Sequence, residues 1–343
     1  VGRTTLYLGD GSGGFQDATD AAGLDVLEGI GITACMMSDI DNDGDLDLYF
    51  LGFADFNRLF RNRGDGTFED VTAEFGLAGL GNGGGSGYGD IAAAMADLDG
   101  DGWQDRACFS QGALRIFRNK GGNGFEEATG YMGPGQPAVS GGSLSLAAGD
   151  VDNDGDLDIY IAGANKLIQN DGNMRFTDIT PGSGLDGMEK NTHPYCPIFA
   201  DYNNDGMLDL FLSSGMYDCM EFQNAGDGTF DDVTAAIGLD AYAVHGCNFG
   251  DLDNDGDLDF YSTAWTMHEF KLFQNNQDDG NFLKVRARGR KTNPSGVGAR
   301  VWVYEDDGGG GARVLKGYRE ILGGIGSMYT CPVLEQHFGV PAG

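Results

Sequence analysis

One short pattern of aspartates, Asp-x-Asp/Asn-x-Asp-Gly-x-x-Asp, occurs five times along this chain of 343 residues. It begins at Asp39, Asp97, Asp150, Asp201 and Asp251, at intervals of roughly 50 to 60 residues. A repeat of this length indicates an array of similar units, because one short unit cannot bury its apolar face alone. The repeat therefore constrains the fold more than any other feature of the sequence.

Each repeat contains the signals of four short strands. An apolar run follows the aspartates, as at residues 48–51, 159–161 and 210–212, and this composition is typical of a buried strand. A turn rich in Gly, Asn and Asp then joins an Asn to a Phe, which predicts a hairpin. The five hairpins run from Asn62 to Phe68, Asn119 to Phe125, Asn170 to Phe176, Asn224 to Phe230 and Asn275 to Phe282.

Repeated four-stranded units without helical periodicity predict an all-β fold, a β-propeller with one blade per repeat. The chain length favours seven blades, with six as the alternative because residues 281–343 do not follow the repeat. Residues 1–30 copy only the second half of a unit, so we interpret them as a partial first blade that the C-terminus completes. The sequence thus predicts propeller repeats over 1–280 and a segment that completes or caps the propeller over 281–343.

The aspartate loops offer the ligands that Ca²⁺ prefers, which are six to eight oxygens on a flexible loop. The side chains at the first, third, fifth and ninth positions supply carboxylate or amide oxygens. The seventh position supplies a backbone carbonyl, which explains why its side chain varies. The predicted ligands of about five Ca²⁺ sites are Asp39, Asp41, Asp43, Asp45 and Asp47; Asp97, Asp99, Asp101, Trp103 and Asp105; Asp150, Asp152, Asp154, Asp156 and Asp158; Asp201, Asn203, Asp205, Met207 and Asp209; and Asp251, Asp253, Asp255, Asp257 and Asp259.

Two other interpretations of these loops were weighed. An EF-hand needs a Glu at the twelfth position and flanking helices. The twelfth residues here are Phe50, Cys108, Ile161, Leu212 and Ser262, which excludes it. Solvated acidic turns without metal are disfavoured, because clustered carboxylates repel one another. The fourth loop has Asn203 in place of a carboxylate, so we expect it to bind Ca²⁺ most weakly.

The charge and cysteine content narrow the possible functions. The 53 Asp and Glu outnumber the 21 Lys and Arg, and the net charge of −32 would repel nucleic acid and anionic membranes. No apolar run is long enough for a membrane-spanning helix. The six cysteines lack Cys-x-x-Cys spacing, which argues against zinc ribbons. Cys196, Cys219 and Cys247 fall in one region, where either one disulfide or buried thiols fit the sequence.

These residues resemble the FG-GAP/VCBS repeats of integrin-type and bacterial surface propellers over residues 1–280. Residues 293–301, the run Arg319-Glu320-Ile321 and the run His337-Phe338-Gly339 resemble the ASPIC/UnbV segment that follows such repeats in the cartilage acidic protein family. The resemblance implies an extracellular calcium-binding protein without established catalytic activity.

We therefore expect a secreted or cell-surface protein, with the periplasm as an alternative, that binds a protein or surface glycan and can be a subunit of a larger assembly. The face opposite the loops is the expected ligand surface, and no catalytic residues are assigned. Its candidate residues are His193, Tyr195, Tyr217, Asp218, His245, Trp265 and His268. The alternative is a carbohydrate lyase or dehydratase with a metal near His193 and His245, and fold alone does not separate the two.

Overall fold

The structure is a computed structural model of the chain. It describes residues 4–52, 57–78, 92–110, 113–128, 145–162, 164–186, 196–213, 219–239, 246–263, 270–277, 281–306, 313–326 and 334–340. Apart from one short 3₁₀ turn at Asp25–Leu27, the regular elements are β-strands. In this part of the chain no helix has the length and apolar character needed to cross a membrane.

The five repeats form five antiparallel blades arranged as a β-propeller, with strands in chain order within each blade. Blade 1 contains β3 (Ile32–Ser38), β4 (Asp47–Gly52), β5 (Arg58–Asn62) and β6 (Phe68–Asp70); blade 2 contains β7 (Ala92–Ala96), β8 (Asp105–Ser110), β9 (Ala113–Asn119) and β10 (Phe125–Glu127); blade 3 contains β11 (Leu146–Gly149), β12 (Asp158–Ile161), β13 (Lys166–Asn170) and β14 (Phe176–Asp178); blade 4 contains β15 (Cys196–Ala200), β16 (Asp209–Ser213), β17 (Met220–Asn224) and β18 (Phe230–Asp232); blade 5 contains β19 (Gly246–Gly250), β20 (Asp259–Thr263) and β21 (Phe270–Phe273). The all-β propeller prediction is confirmed.

Four of the five predicted hairpins have the expected register. Asn62 pairs with Phe68 in blade 1, and the corresponding Asn and Phe pair in blades 2, 3 and 4. The fifth prediction is wrong: Phe282 pairs with Gly339 instead of continuing blade 5. In the described residues blade 5 therefore has three strands.

The apolar core lies mainly between neighbouring blades rather than at one centre. Separate clusters of buried residues join blade 1 to blade 2, blade 2 to blade 3, blade 3 to blade 4 and blade 4 to blade 5. This arrangement follows from the strand pattern, because blades carry apolar side chains on both faces and each of these clusters fills the space between two neighbouring blades.

The N-terminal residues pack against blade 1 as a further half-blade. The hairpin of β1 (Tyr7–Gly9) and β2 (Phe15–Asp17) leads to Ala22 and Leu27, which join the cluster on the outer face of blade 1. The Phe68 N–H donates to the Ala22 carbonyl, as the Phe125 N–H donates to Phe75 one blade later. Among the described strands, β1 and β2 pair only with each other, so the predicted completion of this half-blade by the C-terminus is not seen.

Among the described residues, the C-terminal strands do not form a sixth or seventh blade. They are β22 (Asn281–Arg286), β23 (Arg300–Glu305), β24 (Val314–Glu320), β25 (Ile325–Gly326) and β26 (Glu335–Val340). Two two-stranded ladders join β22 to β26 and β23 to β24, while β25 adds a fifth strand to blade 2. The predicted blade number was too high because it assigned these residues to further blades.

Candidate metal centre

The aspartate loops each connect the first strand of a blade to the second. We name them loop 1 (residues 39–47), loop 2 (97–105), loop 3 (150–158), loop 4 (201–209) and loop 5 (251–259). Because the blades repeat the same strand order, the loops lie at the same end of the propeller. The side chain of Asn42 in loop 1 reaches loop 2, where it donates to the Gly102 carbonyl at 3.1 Å.

Two residues in each loop have left-handed backbone conformation. The sixth position is always Gly, as at Gly44 with φ +98°, where a side chain would be strained. The fourth position is Asn in four loops, as at Asn42 with φ 54°, and Gly100 in loop 2 with φ 74°. Asn tolerates this region better than other residues that have a side chain. The two left-handed residues bend the chain tightly enough to bring alternate side chains together.

In four loops, three carboxylates converge so that one oxygen of each lies within 4.8 Å of the others. The groups are Asp39, Asp41 and Asp43; Asp97, Asp99 and Asp101; Asp150, Asp152 and Asp158; and Asp251, Asp253 and Asp255. Each group can hold a metal ion. Loop 4 gives no such group among the described residues, because Asn203 supplies an amide at the third position.

In loops 1, 2 and 5 the first aspartate has one oxygen that lacks a hydrogen-bond donor among the described residues. Its Oδ2 accepts the N–H of the loop glycine, as in the 2.9 Å bond from Gly102 to Asp97. In the described residues, the buried Oδ1 atoms of Asp39, Asp97 and Asp251 have no hydrogen-bond partner, and neither has Asp41 Oδ1. Buried carboxylate oxygens without partners are costly. A divalent cation at the convergence of these oxygens satisfies them, so the donor set fits Ca²⁺.

Burial and mutual repulsion also disfavour the ionised loops. Burial, together with repulsion from the carboxylates of Asp43 and Asp41, raises the pKa of Asp39 to about 6. In loop 3, burial with repulsion from Asp152 raises the pKa of Asp150 to about 7. Both effects are those that a bound cation reverses.

The ninth aspartate ties each loop to its blade, a role that sequence reasoning did not assign. In loop 1 the two oxygens of Asp47 accept the N–H groups of Ile40 at 2.9 Å and Asn62 at 2.7 Å. The hairpin bond recurs in all five blades, with distances of 2.7 to 3.0 Å. Asp158 belongs to a convergent carboxylate group as well, so this position can both hold the loop and approach a metal.

The C-terminal strands place cations on two of the loops. Arg300 Nη1 lies 2.6 Å from Asp97 Oδ2, and the Arg300 guanidinium also bonds the Gly100 carbonyl. Lys284 forms an ion pair with Asp251. Burial opposes ionisation of Asp251, but the hydrogen bond and charge of Lys284 outweigh it and lower the Asp251 pKa.

The other three loops also contact this C-terminal segment. The Gly339 N–H donates to Asp201 Oδ2 at 2.7 Å, and His337 Nε2 lies 2.7 Å from Asn204 Oδ1. The backbone at residues 291–292 lies against Gly44 of loop 1, and Leu315 lies beside Gly155 of loop 3. Residues 281–340 thus contact all five loops.

The family described as FG-GAP-like repeat matches residues 39–108, 97–161 and 219–262. Cartilage acidic protein 1 of Homo sapiens is 28% identical over 303 residues, which cover 81% of this chain and 42% of the human protein. The Mus musculus protein of the same name is 26% identical, with 82% of this chain and 47% of its own length covered. This chain contains FG-GAP-like repeats and is homologous to cartilage acidic protein 1. It spans less than half the length of these curated relatives.

The FG-GAP matches include loops 1, 2, 3 and 5, while loop 4, which contains Asn203, lies outside them. Among solved structures, an Agrocybe aegerita lectin described as recognising non-reducing terminal N-acetylglucosamine is 19% identical with a TM-score of 0.48, covering 75% of this chain and 68% of its own. The exotype rhamnogalacturonan lyase YesX is 15% identical with a TM-score of 0.41, covering 87% and 56%.

The predicted ligand face lies outside the described residues. This applies to His193, Tyr195, Tyr217, Asp218, His245, Trp265 and His268, and therefore to the histidines of the lyase alternative.

Of the two possibilities for the clustered cysteines, a disulfide or buried thiols, the described residues have thiols. Cys196 and Cys247, in neighbouring blades of this FG-GAP propeller, place their Sγ atoms 3.2 Å apart as thiols, and no disulfide links the described cysteines.

A repeated asparagine joins each of loops 1 to 4 to the blade that follows it. The Asn224 side chain donates to the Val151 carbonyl in loop 3 at 2.7 Å and to the Leu208 carbonyl in loop 4 at 3.1 Å. Asn119, Asn170 and Asn275 likewise bond the preceding loop. Sequence analysis used these residues only as hairpin markers. Their recurrence immediately before each turn was the signal that could have revealed the role.

Proposed function

We propose that this chain is a calcium-stabilised, non-enzymatic propeller that works outside the cell as a binding or assembly module for a protein or surface glycan. The convergent loops carry the proposal, because several buried carboxylate oxygens in them lack any donor among the described residues. Bound Ca²⁺ would coordinate these oxygens and supply the positive charge that offsets the repulsion between the loop carboxylates. The homology to cartilage acidic protein 1 supports an acidic extracellular module.

In this proposal the first, third, fifth and ninth side chains and the seventh carbonyl of each loop hold the metal. Residues 281–343 act as a cap that fastens the five loops together, since described groups from this segment contact each of them. The loops stabilise the propeller through this shared contact, and the partner binds a surface that the loops keep rigid.

Calcium titration by calorimetry on chelator-treated protein tests the proposal, with thermal melts of the stripped and loaded forms. We expect about five sites and a higher melting temperature with Ca²⁺, because ligand bound only to the folded state stabilises it. The Asp39→Asn variant should lose one site and retain the rest. Absence of calcium binding at millimolar concentration, with identical melts, would rule out the calcium role.

A further inference from the structure

Blade 4 contains one residue that breaks the apolar pattern of the repeat. Three residues before the hairpin asparagine, blades 1, 2 and 3 have Leu59, Ile116 and Leu167, all fully buried. Blade 4 has Glu221 at this position. The register is the same, because the Glu221 N–H donates to Thr234 Oγ1 as the Leu167 N–H donates to Thr180 Oγ1.

Glu221 is buried as completely as the aliphatic residues that it replaces. It is 1% exposed, and neither of its carboxylate oxygens has a hydrogen-bond partner in the part of the chain that the structure describes. Burying a carboxylate without a partner is unfavourable compared with burying leucine. Glu221 at this interblade position therefore makes the folded protein less stable than leucine would, which indicates that the carboxylate has a role other than packing.

Glu221 is one of the residues that line a cavity of about 560 Å³ between blades 4 and 5. Its walls include the apolar side chains of Leu239, Phe260 and Phe273, and the Tyr202 side chain joins Glu221 as a polar group. A volume of this size is in the range of small-molecule pockets, which combine apolar walls with few polar groups.

The cavity exists because the next blade lacks a covering strand in the described residues. Between blades 3 and 4, Phe230 of β18 donates its N–H to Ser183 and packs beside Leu185. The equivalent aromatic of blade 5 would be Phe282, but β22 places it in the ladder with β26. The space that an aromatic ring fills one interface earlier is therefore open beside Glu221.

We propose that this cavity binds a small primary amine that has an apolar body. The ammonium donates to the two oxygens of Glu221 and supplies the opposite charge that favours the ionised form of this buried carboxyl. The rings of Phe260 and Phe273 surround the apolar body, and aromatic faces also attract a cation. An anion is repelled by Glu221, and a neutral apolar molecule leaves the carboxylate without donors.

Calorimetric titration with 2-phenylethylamine tests the proposal, using calcium-saturated protein near neutral pH. The uncharged 2-phenylethanol is the matched ligand, and Glu221→Gln is the matched variant because it keeps the shape and removes the charge. We expect the amine to bind the wild-type protein at least ~10-fold more tightly than the Gln variant. The alcohol should bind both weakly and equally.

A second variant separates binding from folding. Glu221→Leu restores the residue type of blades 1 to 3, so its melting temperature should exceed that of the wild type without ligand. The amine should raise the melting temperature of the wild type and leave that of the Leu variant unchanged. Equal amine affinity for wild type and Gln variant, or no amine binding at millimolar concentration, would overturn the proposal. Calcium binding at loops 1, 2, 3 and 5 should be the same in all three proteins, so this outcome is independent of the proposed calcium role.

Discussion

The interblade asparagines can be tested by truncating Asn224 to alanine. The change removes two bonds to the carbonyls of Val151 and Leu208 and one from the Gly226 N–H, at 2.7, 3.1 and 2.9 Å. Asn224 is 2% exposed and its two bonds to carbonyls are buried, so water does not readily replace those two. At about 1 kcal/mol per bond, with an added cost for buried carbonyls left unpaired, we expect a loss of about 3 to 4 kcal/mol.

Asn62 provides the matched control. It makes the two bonds within its own blade, to Leu46 and from Gly64, but in the described residues it has no bond to a preceding loop. Asn62→Ala should therefore cost only about 1 to 2 kcal/mol. Urea unfolding at saturating Ca²⁺ measures both, and with a slope near 3 kcal/mol/M the Asn224 variant should unfold roughly 1 M earlier than the wild type. Equal losses for the two variants would refute the interblade contribution.

Three further predictions concern charge and thiols. First, burial raises the pKa of Asp39 to about 6 and that of Asp47 to about 7, so the metal-free folded state binds more protons than the unfolded state. The stability of the metal-free protein should therefore fall as pH rises from about 4 to 7. Thermal melts in chelator at several pH values check this. A flat or rising profile would contradict it, and saturating Ca²⁺ should reduce the loss. Second, Arg300→Gln removes a cation from beside Asp97, so it should lower the melting temperature of the metal-free protein and raise the calcium affinity of loop 2. Calorimetric calcium titration of the wild type and the variant checks this, and equal affinities would contradict it. Third, mild oxidation should link Cys196 to Cys247, detected as a cross-linked peptide by mass spectrometry, and Cys247→Ser should abolish it.

The repeated elements of the fold could be predicted from sequence because their causes are local. Gly44 has a left-handed conformation that favours glycine, and Asn62 begins a hairpin whose short turn fixes the partner Phe68. The same residues in each repeat give the same turn and the same strand pairing. The convergence of the loop aspartates follows from this spacing, which is why the candidate metal centre was found without a structure.

The blade number and the position of the C-terminal strands depended on contacts that the repeat does not encode. Phe282 has the spacing of a fourth strand in blade 5, yet its strand pairs with β26 because that edge is a competing partner. The cavity beside Glu221 follows from that choice. The sequence has Glu221 in a strand position that is apolar in blades 1 to 3, and in the described residues the placement of Phe282 beside β26 leaves the cavity next to Glu221.

What the sequence by itself determined was the repeating unit: the aspartate loops, the strands that flank them and the hairpins that end four of the blades. What only the tertiary structure decided was the meeting of distant segments. Arg300 reaches Asp97 across 203 residues of sequence, and Gly339 reaches Asp201 across 138. Local conformational preference specifies the unit, whereas contacts at such separations depend on which surfaces remain open once the blades have packed.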